Sequence, residues 1–272
     1  MREQPIQESG KRFHQSLARV KWYHVVALLA IAAVSYGLVT AGRPAEQSAL
    51  LILWKWMPFI LQGYGLNLLM SFAAMALATV LGVPLGVAQT SHCYLVRKCA
   101  SGVTHLFRNT PWLVFLFAVM YLMPMKVSIG SETVYLPDWF KATLAFTLPV
   151  MSNLSEVVRG AIASIPSGQW ESANSLGLGR YQTMTHVILP QCIKRALPSW
   201  MNWYSLLALA TPMAAIIGVR EAVGSAQAAM EAAGGRPDFL IPFYLFLLTL
   251  FFIYIYPIAL LTKKLERKYT VK

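Results

Sequence analysis

Apolar residues gather in six runs separated by short polar segments: Val25 to Ala41, Leu66 to Ala88, Trp112 to Met125, about Phe140 to Val158, about Pro198 to Val219, and Phe239 to Leu261. A helix crossing about 30 Å of hydrocarbon needs roughly 20 residues. The third run falls short of that and must borrow from Phe107–Pro111 or from Lys126–Ile129. The first follows a long positive leader and exceeds the roughly 7–15 apolar residues of a secretory signal core, so it reads as a retained anchor. The pattern predicts an all-α polytopic membrane protein with about six transmembrane helices. A basic tail would occupy residues 1–23 and an extra N-terminal helix residues 24–41. The main membrane domain would span 61–265, and a short tail 266–272.

Composition agrees. Of 272 residues, 57% are hydrophobic and 12% charged, against roughly 25% charged in a soluble domain, and mean hydropathy is +0.52. Those values exclude a disordered or fibrous chain and argue against a soluble enzyme. The net charge of +12 would suggest nucleic acid in a soluble protein. Here it follows from topology. With both ends inside, the outer segments hold only Arg43, Lys55, Lys126, Lys141, Arg220 and Arg236, while all other lysines and arginines lie inside. That asymmetry is the one expected of short loops around membrane helices, and it places both termini in the cytoplasm with no need for a nucleic-acid partner.

Catalytic patterns are missing. Cys93, Cys99 and Cys192 lack metal-site or disulfide spacing, and His14, His24, His92, His105 and His186 are scattered. Gly10-Lys11-Arg12 has neither the earlier glycine nor the following Ser/Thr of a phosphate-binding loop. The residues therefore indicate no metal, no nucleotide site and no catalytic set in this chain.

The long inner loop, residues 160–197, is the informative segment. Ile165-Pro166-Ser167-Gly168 reads as a turn opening a helix, with Ser167 as its cap. Glu171, Ala173 and Leu176 continue that helix until Gly177, a C-terminal stop. Leu178-Gly179-Arg180 opens a second stretch, Tyr181 to Leu189, ended by Pro190. Two short helices on a glycine elbow, carrying apolar Leu176, Leu178, Val187, Ile188 and Leu189, make a compact knob suited to passing force to another protein.

Glu171-Ser172-Ala173, Gly177, and then Val187-Ile188-Leu189-Pro190 after nine residues resemble the EAA signature of ABC importer permeases. Ser172 replaces its first Ala and Val187 its Ile. Four further segments are similar to polar amino acid permeases: Arg108-Asn109-Thr110-Pro111, Leu154 to Gly160, Ile165 to Glu171, and Ile217-Gly218-Val219-Arg220-Glu221. Tyr256-Pro257 and Leu265-Glu266-Arg267 look like their closing segment. The chain departs from the pattern at Phe115, often Gln in the family, at Asn67-Leu68, and at Leu209 to Met213.

The resemblance implies a type I ABC importer permease fold in a prokaryotic inner membrane. It also implies two ATPase subunits that bind ATP and Mg, a second permease chain of the same or different sequence, and an extracytoplasmic solute-binding protein. Glu171, Ala173, Leu176, Gly177, Leu178, Leu189 and Pro190 would couple this chain to an ATPase. The solute would be a polar amino acid or a related small molecule, moved by alternating access. A channel or ion-coupled carrier working alone is the alternative.

Polar groups and helix breaks inside the runs mark candidate pathway residues. Pro149, Ser152 and Asn153 lie in the fourth run, and Thr211-Pro212 interrupts the fifth near its middle. Such paired breaks either line a binding region or are ordinary kinks packed against neighbours. Glu156 and Arg159, three residues apart, share a helix face and form a candidate ion pair. Gly82 and Gly86, four apart, permit close helix approach. The outer stretch Ala222 to Ala233 is read as a weakly amphipathic element on the membrane surface.

Overall fold

The computed structural model describes residues 48–129 and 132–269. The expected basic tail and first anchor helix lie outside them. Eight longer helices follow in order: α1 (Ala49–Ala88), α2 (Tyr94–Arg108), α3 (Trp112–Leu122), α4 (Asp138–Ala163), α5 (Ser167–Ser175), α6 (Leu189–Ala210), α7 (Ala222–Ala232) and α8 (Leu240–Tyr269). A single turn, Arg180–Gln182, and a π-helical stretch, Thr183–Ile188, lead into α6, and a 3₁₀ segment, Thr211–Ile217, leaves it. The one non-helical element among the described residues is an antiparallel hairpin of β1 (Lys126–Ile129) and β2 (Glu132–Tyr135), with Val127 opposite Val134.

Among the described residues, three helical stretches are long and apolar enough to cross a bilayer: Ala49–Ala88, Arg180–Ile217 and Pro237–Tyr269. The first corrects the expected boundary, since it begins at Ala49 and not near Leu66. Its 40 residues extend about 60 Å at ~1.5 Å per residue, so Lys55 sits on a helix and not in an outer loop. The reason is tertiary. Ala49, Leu53 and Ile60 are buried against Ala222, Ala226, Phe239 and Phe243, a cluster that draws the extra turns into one rod. The same cluster takes in one face of α7, with Ala222, Ala226 and Ala229 fully enclosed, while Gln227, Glu231 and Ala232 stay exposed.

At the centre, α4 lies along α1. A Cβ built on Gly82 would stand 2.7 Å from the Met151 carbonyl oxygen, and one on Gly86 would stand 2.6 Å from that of Ser155. Only glycine lets these backbones meet so closely. Around the contact Met70, Ala74, Ala78, Leu116, Phe146 and Leu207 form the main core. The third apolar run supplies just the 11 residues of α3. The chain reaches it through α2, which ends at the Asn109-Thr110-Pro111 break.

Candidate functional site

The knob between α4 and α6 is built from local rules plus a small core of its own. Pro166 occupies the cap position of α5 with φ −55° and ψ 143°. Ser167, expected as the cap, is instead the first helical residue, because the preceding proline already sets the entry angle. At the other end Gly177 takes φ +72°. Its N–H donates to Asn174 at 2.9 Å, and the Leu178 N–H donates to Ala173 at 3.1 Å. That pair of bonds closes a Schellman stop.

Pro190 does not end the second helix, contrary to expectation. The helix widens before it, so that the Leu189 N–H reaches back to Met184, and α6 then runs on through Pro190. A π turn removes the clash that a proline ring makes with the carbonyl four residues earlier in a regular helix.

Ala161, Ile162, Ile165, Met184, Ile188 and Cys192 form the core beneath the knob, with Trp170 packed on them. Gln191 donates to Gln169 Oε1 at 3.1 Å, Arg195 to the Ser164 carbonyl at 2.9 Å, and Arg180 to the Thr90 carbonyl at 3.2 Å. These bonds tie the knob to α4, α6 and the end of α1. The signature residues divide accordingly. Ala173 faces inward and Leu178 and Leu189 are half-buried, while Glu171, Gly177 and Pro190 are exposed. Leu176 and Tyr181, each 79% exposed, stand at the surface.

The candidate pathway residues lie on two elements, α4 and the 3₁₀ segment after α6. Ser152 donates to the Leu148 carbonyl at 3.0 Å and Asn153 Nδ2 to the Pro149 carbonyl at 2.8 Å, so both satisfy their own helix. Pro149 is buried beside them. Thr211 and Pro212 lie at the junction where α6 tightens into 3₁₀ geometry, near the end of the span and not its middle.

Thr211 belongs to a different cluster. Asn67 Nδ2 donates to Thr211 Oγ1 at 3.0 Å, and Asn67 Oδ1 accepts the Ala222 N–H at 2.9 Å. Glu221, fully buried, accepts from the Val223 and Gly224 N–H groups at 3.0–3.1 Å and so caps α7. Asn67 appeared in the sequence only as a departure from a family pattern. An asparagine inside an otherwise apolar run was the available signal for it.

Two more polar groups join helices. Gln89 donates to Thr104 at 3.1 Å and to Ser155 at 3.0 Å, linking the end of α1 to α2 and α4. Tyr204 meets the hydroxyls of Ser71 and Tyr254, and Trp200 donates to Thr79 at 2.9 Å, linking α6 to α1 and α8. Near the C-terminal end of α4, Arg159 holds Glu156 through Nη2 at 2.7 Å and Nε at 3.1 Å, and Arg108 approaches it at 3.5 Å. A cavity of about 280 Å³ between α1, α4 and α6 is walled by Val83, Leu154, Val158, Cys192, Ala196 and Trp200. Its lining is apolar and offers a polar solute little to bind.

Comparison with known proteins follows the same lines. "Probable amino-acid ABC transporter permease protein YckA" of Bacillus subtilis is 34% identical over 213 residues, covering 78% of this chain and 89% of the relative. The nopaline transport system permease protein NocM of Agrobacterium fabrum is 28% identical over 179 residues, covering 64% and 74%. Among solved structures, the crystal structure of an amino acid ABC transporter with histidines superposes with a TM-score of 0.68 at 22% identity, covering 80% of this chain and 97% of the other. An inward-facing MetNI methionine ABC transporter gives 0.61 at 19% identity, covering 79% and 98%. A family model described as the binding-protein-dependent transport system inner membrane component matches residues 23–270, and the chain belongs to that family, the membrane-embedded permease subunits of ABC importers.

Proposed function

We propose that this chain forms, with a second permease chain, the inner-membrane pathway for a polar amino acid or a related small solute. Two ATPase subunits would drive it through the α5 knob, and an extracytoplasmic binding protein would deliver the solute. The observation that carries the coupling role is the division of the EAA residues. Ala173 is buried, and its α5 neighbour Trp170 packs on the knob core, while Leu176 and Glu171 are presented outward. An exposed leucine on a rigid tip loses apolar area to water unless a partner covers it. Because the knob is bonded to α1, α4 and α6, a push on it is delivered to three helices at once. The amino acid class rests on the relatives' names. The apolar lining of the cavity favours a solute path completed by the second permease chain. A channel or carrier working alone has no counterpart among the relatives compared.

The test is reconstitution of the four membrane and ATPase subunits in liposomes with the binding protein. Uptake should require ATP on the ATPase side, and a Leu176→Cys variant should cross-link to the ATPase. Uptake at the full rate without ATPase subunits would overturn the reading.

A further inference from the structure

Helix α2 has no role in the transport reading, yet it carries three distinct surfaces. Successive residues turn by about 100° around a helix. One flank, with Ala100 and Thr104 as its buried residues, packs on the bundle. Thr104 is bonded there to Gln89 and Ser155. A second flank presents Leu95, Cys99, Val103 and Leu106 to the outside, with Leu95 69% and Leu106 63% exposed. Arg97, Lys98, His105 and Arg108 occupy the arc opposite, and the helix contains no acidic residue.

An apolar face set against a basic face is the pattern of a helix lying in a lipid–water interface. The charges favour lipid as the occupant. The Arg97 guanidinium and the Lys98 ammonium stand 5.8 and 5.6 Å from the centre of the same Tyr94 ring. Two cations gathered so closely suit one phosphate. From neighbouring elements Arg180 adds positive charge at Thr90, and the facing carboxylate, Glu156, is already held by Arg159 and Arg108.

We propose that α2 lies in the inner-leaflet interface, with Leu95, Cys99, Val103 and Leu106 among the acyl chains and Arg97 and Lys98 holding the phosphate of an anionic phospholipid. This rests on the cytoplasmic placement of the knob side. Through Thr104 the bound lipid would bear on the end of α1 and on α4, the helix that leads into the knob.

The assembled importer, carrying Cys93→Ser and Cys192→Ser, is labelled at Cys99 with a fluorophore in vesicles of phosphatidylcholine and phosphatidylglycerol. Quenching by chain-brominated lipid and not by iodide is expected, with the reverse for a label at Lys98→Cys in a chain that also carries Cys99→Ser. Iodide quenching at Cys99 overturns the proposal. So does protection from both quenchers, which would mean that a protein subunit covers the face. An impermeant thiol reagent reaching Lys98→Cys from outside overturns the topology itself; labelling from inside with failed lipid quenching overturns only this inference. The paired substitution Arg97→Gln/Lys98→Gln should weaken phosphatidylglycerol binding about fivefold per charge removed. Unchanged binding overturns the headgroup assignment.

Discussion

Asn67 reaches across 144 positions of sequence to donate to Thr211 at 3.0 Å, while its carbonyl oxygen accepts the Ala222 N–H. One amide thus joins the middle of α1, the tightened end of α6 and the start of α7. Asn67→Ala should strand the buried Ala222 N–H, while the Thr211 hydroxyl keeps its bond to the Ala208 carbonyl. Leaving such a group unsatisfied costs about 1–3 kcal/mol, so thermal unfolding of the purified complex should drop measurably. An unchanged melting temperature would show that the amide is dispensable.

Gly82 and Gly86 should tolerate no side chain. An alanine Cβ would fall within 2.7 Å of carbonyl oxygens on α4, and backbone atoms cannot swing away as a flexible side chain can. Gly82→Ala or Gly86→Ala is expected to cost about 1–3 kcal/mol through overpacking. Gly65, on the same helix, has open space around it. There Gly65→Ala should be neutral or stabilising by roughly 0.5–1 kcal/mol, and thermal stability measured for the three variants checks the contrast.

Gly177 presents the opposite case. Nothing lies within 4 Å of its would-be Cβ, but its φ is +72°. The penalty is conformational, about 1–2 kcal/mol for an ordinary residue. Gly177→Val should lower ATP-coupled uptake while the complex still assembles, and Gly177→Asn should retain more activity because asparagine adopts this conformation more readily. Equal activity of the two variants would count against a role for the elbow geometry.

The Glu156 cluster should contribute little to stability. Arg108 and Arg159 are 45% and 47% exposed, so water screens the attraction. Ion pairs of this kind contribute roughly 0.2–1 kcal/mol. A double-mutant cycle combining Glu156→Gln with Arg159→Gln, read by chemical denaturation, should return a coupling energy in that range. A value several times larger would point to a tighter role at the C-terminal end of α4.

Local signals were legible where one residue type decides the outcome alone. Gly177 stops α5 because only glycine readily takes a positive φ, and the Gly82–Gly86 spacing marks a close approach because no other residue lacks a Cβ. Pro190 misled for the same local reason. The rule that proline breaks a helix assumes α geometry, and the π turn at Thr183–Ile188 sets that assumption aside. Ser152 and Asn153 are polar positions in an apolar run, and only the structure shows that each bonds to a carbonyl of the preceding turn.

What the sequence by itself determined was the class of molecule: apolar runs, the charge asymmetry of the loops, and the spacing of Glu171, Gly177 and Pro190 are all properties of the linear order. Tertiary structure alone decided that α1 starts at Ala49, that α7 packs one face against α1 and α8, and that Asn67, Thr211 and Ala222 meet. Those outcomes depend on which faces of distant helices come together, and burial and hydrogen bonding between residues far apart in the chain leave no periodic trace along it.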